Sequence, residues 1–137
     1  MTDKNKEELQ RTYMEYQLVG NQIKQLQQQL QQVELSMSDI MSTKQNINDI
    51  QSSKEGSEMI VPLSNGIFTK AKLGQNKQLL VNVGAGIVVN KNFLEAAELL
   101  DNQLKELTSY RQQIAHNIEI MANKAAQMEQ ELQKLVQ

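Results

Sequence analysis

Cysteine and tryptophan are absent from the 137 residues, proline occurs once, and aromatics make up 4% of the chain. Without cysteine there is no disulfide framework, and with so few aromatics a large globular core is not expected. No apolar run reaches the length needed to cross a bilayer, because charged residues interrupt the hydrophobic stretches every few positions. Charge of one sign is also missing, with 14 Lys plus Arg against 16 Asp plus Glu. No basic block is interleaved with aromatics, so nucleic acid is a poor candidate partner. These features describe a chain expected to be cytoplasmic and soluble, with no membrane partner.

Heptad patterning is abundant. Starting at Leu9, positions spaced alternately three and four apart read Leu9, Thr12, Tyr16, Val19, Ile23, Leu26, Leu30, Val33, Met37, Ile40, Lys44 and Ile47. A second series reads Phe93, Ala97, Leu100, Leu104, Leu107, Arg111, Ile114, Ile118, Met121, Ala125, Met128, Leu132 and Leu135. All but Thr12, Lys44 and Arg111 are apolar, and Gln, Asn, Lys or Glu fill most positions between. A narrow seam sustained this long predicts a left-handed coiled coil rather than two helices on a globular core. A first helix from near Asp3 to near Lys54 would be about 75 Å long at about 1.5 Å per residue. The glutamines around Gln25, Gln27, Gln28, Gln29, Gln31 and Gln32 are broken at seam spacing by Leu26, Leu30 and Val33. They read as a solvated helix face rather than a prion-like tract.

Residues 56 to 90 separate the two series and hold five of the six glycines and the proline. Thr2 or Asp3 suits the start of the first helix, and Gly56 suits its end. Asn92 followed by Glu95 resembles a capping box opening the second helix. Between these marks the apolar period falls to two. Met59, Val61 and Leu63 are expected on one face, then Ile67, Thr69, Ala71 and Leu73, then Leu79, Val81 and Val83, then Ile87 and Val89. Asn65-Gly66 and Gly84-Ala85-Gly86 are hairpin turns, Gly74-Gln75-Asn76-Lys77 links the hairpins, and Pro62 belongs at an edge or bulge. A phosphate-loop reading of Gly84-Ala85-Gly86 fails because β-branched residues follow, not a helix. The expected organisation is a coiled-coil helix over 1–55, two β-hairpins over 56–90, and a coiled-coil helix over 91–137. The fold class is mainly α with a small β element, a long antiparallel two-helix coiled coil with two hairpins at its bend.

Four short strands leave sheet edges unpaired, which predicts assembly with other subunits through this segment. Met59, Val61, Leu63, Ile67, Phe68, Leu79, Val81, Val83, Ile87 and Val89 are the candidate oligomer interface. No catalytic constellation is detectable. His116 is the single histidine, on an outer helix face and without cysteine or a carboxylate cluster at ligand spacing, so neither metal nor cofactor is expected. Asp39, Asp49 and Asp101 read as solvated, and Lys44 and Arg111 as seam charges that set register or snorkel toward an acidic neighbour. The chain reads as no enzyme.

The order helix, two consecutive hairpins, helix resembles the α-class subunits of the prefoldins. The specific segments are Met59-Ile-Val-Pro-Leu-Ser-Asn-Gly-Ile-Phe-Thr-Lys-Ala, Val81-Asn-Val-Gly-Ala-Gly-Ile-Val-Val and Asn92-Phe-Leu-Glu-Ala. The resemblance covers essentially the whole chain. It implies a hexamer of two α-class and four β-class subunits whose hairpins form a double β-barrel platform with six projecting coiled coils. It also implies an ATP-independent holdase that captures unfolded polypeptides and passes them to a group II chaperonin. On that reading the free helix ends are the tips that bind clients. Tyr13, Met14, Leu18, Ile120 and Val136 are apolar and off the seam there, while Tyr16, Val19, Ile118, Met121, Met128, Leu132 and Leu135 combine packing with contact if the tip opens. Methionine suits a surface that fits many sequences. A structural scaffold or spacer docking one folded partner is the alternative.

Overall fold

Thr2 begins the first helix: its Oγ1 accepts from the Asn5 amide at 3.3 Å and its carbonyl accepts from the Lys6 amide at 3.1 Å. The first bond satisfies a donor that an uncapped helix start would leave unpaired, and the second is the first backbone bond of the helix ladder. The computed structural model describes residues 2–75 and 78–136, with α1 over Asp3–Ser52 and α2 over Phe93–Val136. Between the helices run β1 (Glu58–Ser64), β2 (Ile67–Lys72), β3 (Gln78–Gly84) and β4 (Ile87–Asn92). The link between hairpins includes Asn76 and Lys77, which lie outside the described residues.

The end of α1 differs from the sequence expectation. The helix stops at Ser52, four residues before Gly56. Serine hydroxyls take over the terminal carbonyls: Ser52 donates to Asn48 O at 3.0 Å and Ser53 donates to Asp49 O at 2.6 Å. Such local bonding competes with helix continuation. Gly56, at φ 86°, instead donates its amide to Leu73 O at 2.7 Å and so begins the hairpin ladder. The start of α2 is the capping box read from the sequence, with Glu95 N to Asn92 Oδ1 at 2.7 Å and Asn92 N to Glu95 Oε1 at 3.3 Å.

Strand pairing is antiparallel within each of two separate two-stranded sheets, β1 with β2 and β3 with β4. In the first, Met59 faces Ala71, Val61 faces Thr69 and Pro62 faces Phe68, before a register shift to Ser64 opposite Ile67. In the second, Leu79 faces Lys91, Val81 faces Val89 and Asn82 faces Val88, before the same shift to Gly84 opposite Ile87. The hairpins are thus structural repeats twenty positions apart, down to the bulge and the two-residue turn. Asn65 and Ala85 occupy equivalent turn positions, each at φ 52°, followed by Gly66 at 78° and Gly86 at 73°. Positive φ at both central residues is what a tightly twisted hairpin demands.

The bulge corrects the expected strand faces. Alternation holds through Met59 and Val61, and through Leu79 and Val81, all half-buried. The extra residue then turns Leu63 and Val83 out of line, and both are exposed. On the returning strands Ala71 and Val89 are half-buried, whereas Ile67, Thr69 and Ile87 are exposed.

The chain forms two compact units, one of Met1–Met37 with Glu106–Gln137 and the other of Ser38–Lys105. In the first, the core is Val19, Val33, Ile114 and Met128, with Thr12 buried beside them in the seam series. In the second, Ala96 is buried and Ile40, Lys44, Ile47, Phe93, Ala97, Leu100 and Leu104 are half-buried. Every residue of both heptad series is buried or half-buried, as a coiled-coil seam requires.

Candidate functional site: strand edges and helix ends

The hairpin unit leaves a large apolar surface to solvent. Ile60, Leu63, Ile67, Phe68, Leu80, Val83, Ile87 and Val88 are all exposed, although each is a residue that strands favour for packing. Of the ten residues expected at an oligomer interface, Leu63, Ile67, Phe68, Val83 and Ile87 are among these, while Met59, Val61, Leu79, Val81 and Val89 are half-buried. Ile60, Leu80 and Val88 were not among the sequence candidates. Ile60 shares its face of the first ladder with the candidate Phe68, and Leu80 and Val88 occupy the equivalent face of the second, opposite the period-two series. The missed signal was that strands with apolar residues on both faces are built to be covered on both. A cleft of about 570 Å³ in this unit is lined by Ile50, Gln51, Ser53, Glu55, Leu73, Gly74, Gln75, Asn92, Phe93 and Leu94.

In the same unit Lys44 pairs with Asp101 through an ion pair between α1 and α2. The seam lysine thus finds its acidic neighbour. Asp101 is half-buried in this pair rather than an isolated solvated carboxylate.

All twelve residues expected to bind clients fall in the other unit, which joins the start of α1 to the end of α2. Tyr13, Met14, Leu18, Ile120 and Val136 are exposed. Val19 (3% exposed) and Met128 (8%) are buried, and Tyr16, Ile118, Met121, Leu132 and Leu135 are half-buried. The seam set is thus wholly or partly packed, and the off-seam set is exposed. Met14 and Leu18 share a shallow groove with Glu7, Gln10, Arg11 and Glu15. Tyr13, Tyr16, Gly20, Ile23 and Ala125 border another, in which Gln17 Nε2 donates to the Tyr13 hydroxyl at 3.2 Å. Gly20, with no side chain, and Ala125, with only a methyl, leave this groove open.

Among the described residues no group of three or more histidine or acidic side chains is placed to hold a metal ion, and no helix is long and apolar enough to cross a membrane. His116 is exposed on α2. Exposed apolar residues cluster on the strands in one unit and near the start of α1 and the end of α2 in the other.

Two long helices in a coiled-coil pattern, joined through two consecutive bulged hairpins, define a prefoldin-like fold. The prefoldin subunit family matches residues 19–137, and the chain belongs to that family, which is one of chaperones. It is similar to prefoldin subunit alpha of Methanococcus aeolicus, 28% identical over 96% of this chain and 89% of that one. Prefoldin subunit alpha of Thermococcus onnurineus is 31% identical, covering 77% of this chain and 72% of that one. Among solved structures, a chain of the filamentous PFD from Methanocaldococcus jannaschii superposes with a TM-score of 0.75 at 17% identity, covering 85% of this chain and 96% of that one.

Proposed function

We propose that the chain is an α-class subunit of a hetero-oligomeric prefoldin that holds unfolded polypeptides without ATP and delivers them to a group II chaperonin. The hairpins assemble the complex with β-class subunits in an α2β4 hexamer, and the helix ends grip the client. The observation that carries this reading is the exposed apolar surface on the strands, at Ile60, Leu63, Ile67, Phe68, Leu80, Val83, Ile87 and Val88, with a second exposed set near the start of α1 and the end of α2. Unpaired strand edges are unstable in isolation and are removed when several hairpins close into a barrel. Exposed Tyr13, Met14, Leu18, Ile120 and Val136 suit weak contacts with many sequences. Several such contacts acting together retain a client while each releases quickly. The complex belongs in the cytoplasm, where nascent chains and chaperonin meet.

The test is suppression of aggregation. The assembled complex, without ATP, should keep several unrelated denatured proteins in solution. Removing the first twenty and last twenty residues should abolish that protection and leave the oligomer's native mass, less the trimmed segments, intact. Protection of no client would favour a scaffold that docks one folded partner. Loss of the oligomer on trimming would overturn the division between hairpins and helix ends.

A further inference from the structure

Among the described residues two methionines stand exposed, and they differ in what surrounds them. Met14 is 68% exposed and Met41 60%, and neither belongs to the heptad seam. Met128 is buried at 8%, while Met37, Met59 and Met121 are half-buried. A mild oxidant converts a thioether from an apolar group into a polar one, and exposure decides which thioether reacts first.

Met14 lies in the first unit, in the shallow groove that it shares with Leu18. The two are four positions apart, so they are neighbours on one face of α1, and they are the apolar members of the groove's lining. Gln10 and Arg11, four and three positions before Met14, bring N–H donors to the same groove. Met41 belongs to the second unit, with Met37, Ser38, Lys44 and Gln45 at the spacings of helix neighbours. Oxidation of Met14 therefore alters a surface suited to apolar clients, and oxidation of Met41 does not.

We propose that Met14 is a redox modification site at which hydrogen peroxide switches off client capture. The sulfur lone pair attacks one peroxide oxygen, the oxygen–oxygen bond breaks and hydroxide leaves. The hydroxyl now on sulfur gives its proton to that hydroxide, so sulfoxide and water remain. Sulfur is oxidised by two electrons and the peroxide is reduced by two. The sulfoxide oxygen is a strong acceptor, and Gln10, Arg11 and water supply donors for it. An apolar client side chain pressed onto the groove would strip that oxygen of partners, and burying an unsatisfied polar group opposes the contact. A dithiol-dependent methionine sulfoxide reductase reverses the change, as two thiols become a disulfide and the oxygen leaves as water. The inference rests on the reading that the exposed helix ends hold clients, and it adds a chemical control of that hold.

The assembled complex is treated with graded hydrogen peroxide, cleared of it with catalase, and assayed for protection of a chemically denatured protein, with sulfoxides located by peptide mass spectrometry. Met14 and Met41 should convert before Met128, and the concentration of complex needed for protection should rise about threefold or more as Met14 converts. Native mass and melting temperature should hold meanwhile. Met41→Leu should lose protection on oxidation as wild type does. Met14→Leu is compared with itself before and after peroxide, and should keep whatever protection it starts with, because leucine cannot take the oxygen. A methionine sulfoxide reductase should restore the treated wild type. An equal loss in oxidised Met14→Leu and wild type, unchanged protection once Met14 is wholly sulfoxide, or conversion of Met14 no faster than Met128 would overturn the proposal. A melting temperature that falls in step with Met14 conversion would assign the loss to unfolding and overturn it too. Failure of the untreated complex to protect any client would refute the holdase reading itself, and the proposal with it.

Discussion

Lys44 on α1 and Asp101 on α2 form an ion pair although 57 positions separate them in sequence. Lysine at a seam position sacrifices apolar burial, and the carboxylate opposite fixes which helical turns meet. The side chains are 35% and 49% exposed, so solvent screens the attraction. A double-mutant cycle with Lys44→Met and Asp101→Asn should give a coupling of about 0–1 kcal/mol by chemical denaturation. Lys44→Leu should be neutral or stabilising, because it completes the apolar seam. A large loss of stability in Lys44→Leu would show that the pair contributes more than register.

The capping box of α2 gives a second expectation. Asn92 and Glu95 exchange side-chain bonds with each other's amides. Asn92→Ala should cost about 0.5–2 kcal/mol, and Asn92→Asp or Asn92→Ser should retain most of the stability. Thermal unfolding followed by circular dichroism reads this directly.

Ala85 sits at φ 52° where the equivalent residue of the first hairpin is Asn65. A Cβ is disfavoured there, and asparagine or glycine is better suited. Ala85→Asn should stabilise the chain by about 0.5–1 kcal/mol, and Asn65→Ala should destabilise it by a similar amount. No shift in denaturation midpoint for either variant would contradict the strained turn.

Ile114 and Ile120 lie on the same helix with opposite surroundings, 2% and 48% exposed. Ile114→Ala should cost about 2–4 kcal/mol, by lost burial and a cavity. Ile120→Ser should change stability by less than about 0.5–1 kcal/mol. If the exposed set binds clients, Met14→Ser, Leu18→Ser and Ile120→Ser combined should weaken protection of denatured proteins while the melting temperature holds. A triple variant that protects as well as wild type would remove these residues from the client surface.

Much of the fold was legible because its signals are local or periodic. A heptad seam declares itself over many turns, so all the seam residues from Leu9 to Ile47 and from Phe93 to Leu135 were found, and all are at least half-buried. The Asn65-Gly66 turn and the Asn92 capping box need only a few neighbouring residues. Less visible was the end of α1, where Gly56 is an obvious terminator but the serines at 52 and 53 act first. The bulges at Leu63 and Val83 were also hidden, since period-two reading has no symbol for an extra residue. Among the exposed candidates the off-seam residues were separable in advance, because the heptad assigns them no partner.

Periodicity and turn chemistry in the sequence alone determined two seam-bearing helices and two hairpins between them, because hydrogen-bond geometry gives helix and strand different repeats. Which strand faces stay exposed, that the two hairpins are copies of one another, and which carboxylate meets Lys44 were decided only by tertiary structure. Those outcomes depend on the register between segments, and register is set by contacts between residues far apart in the chain.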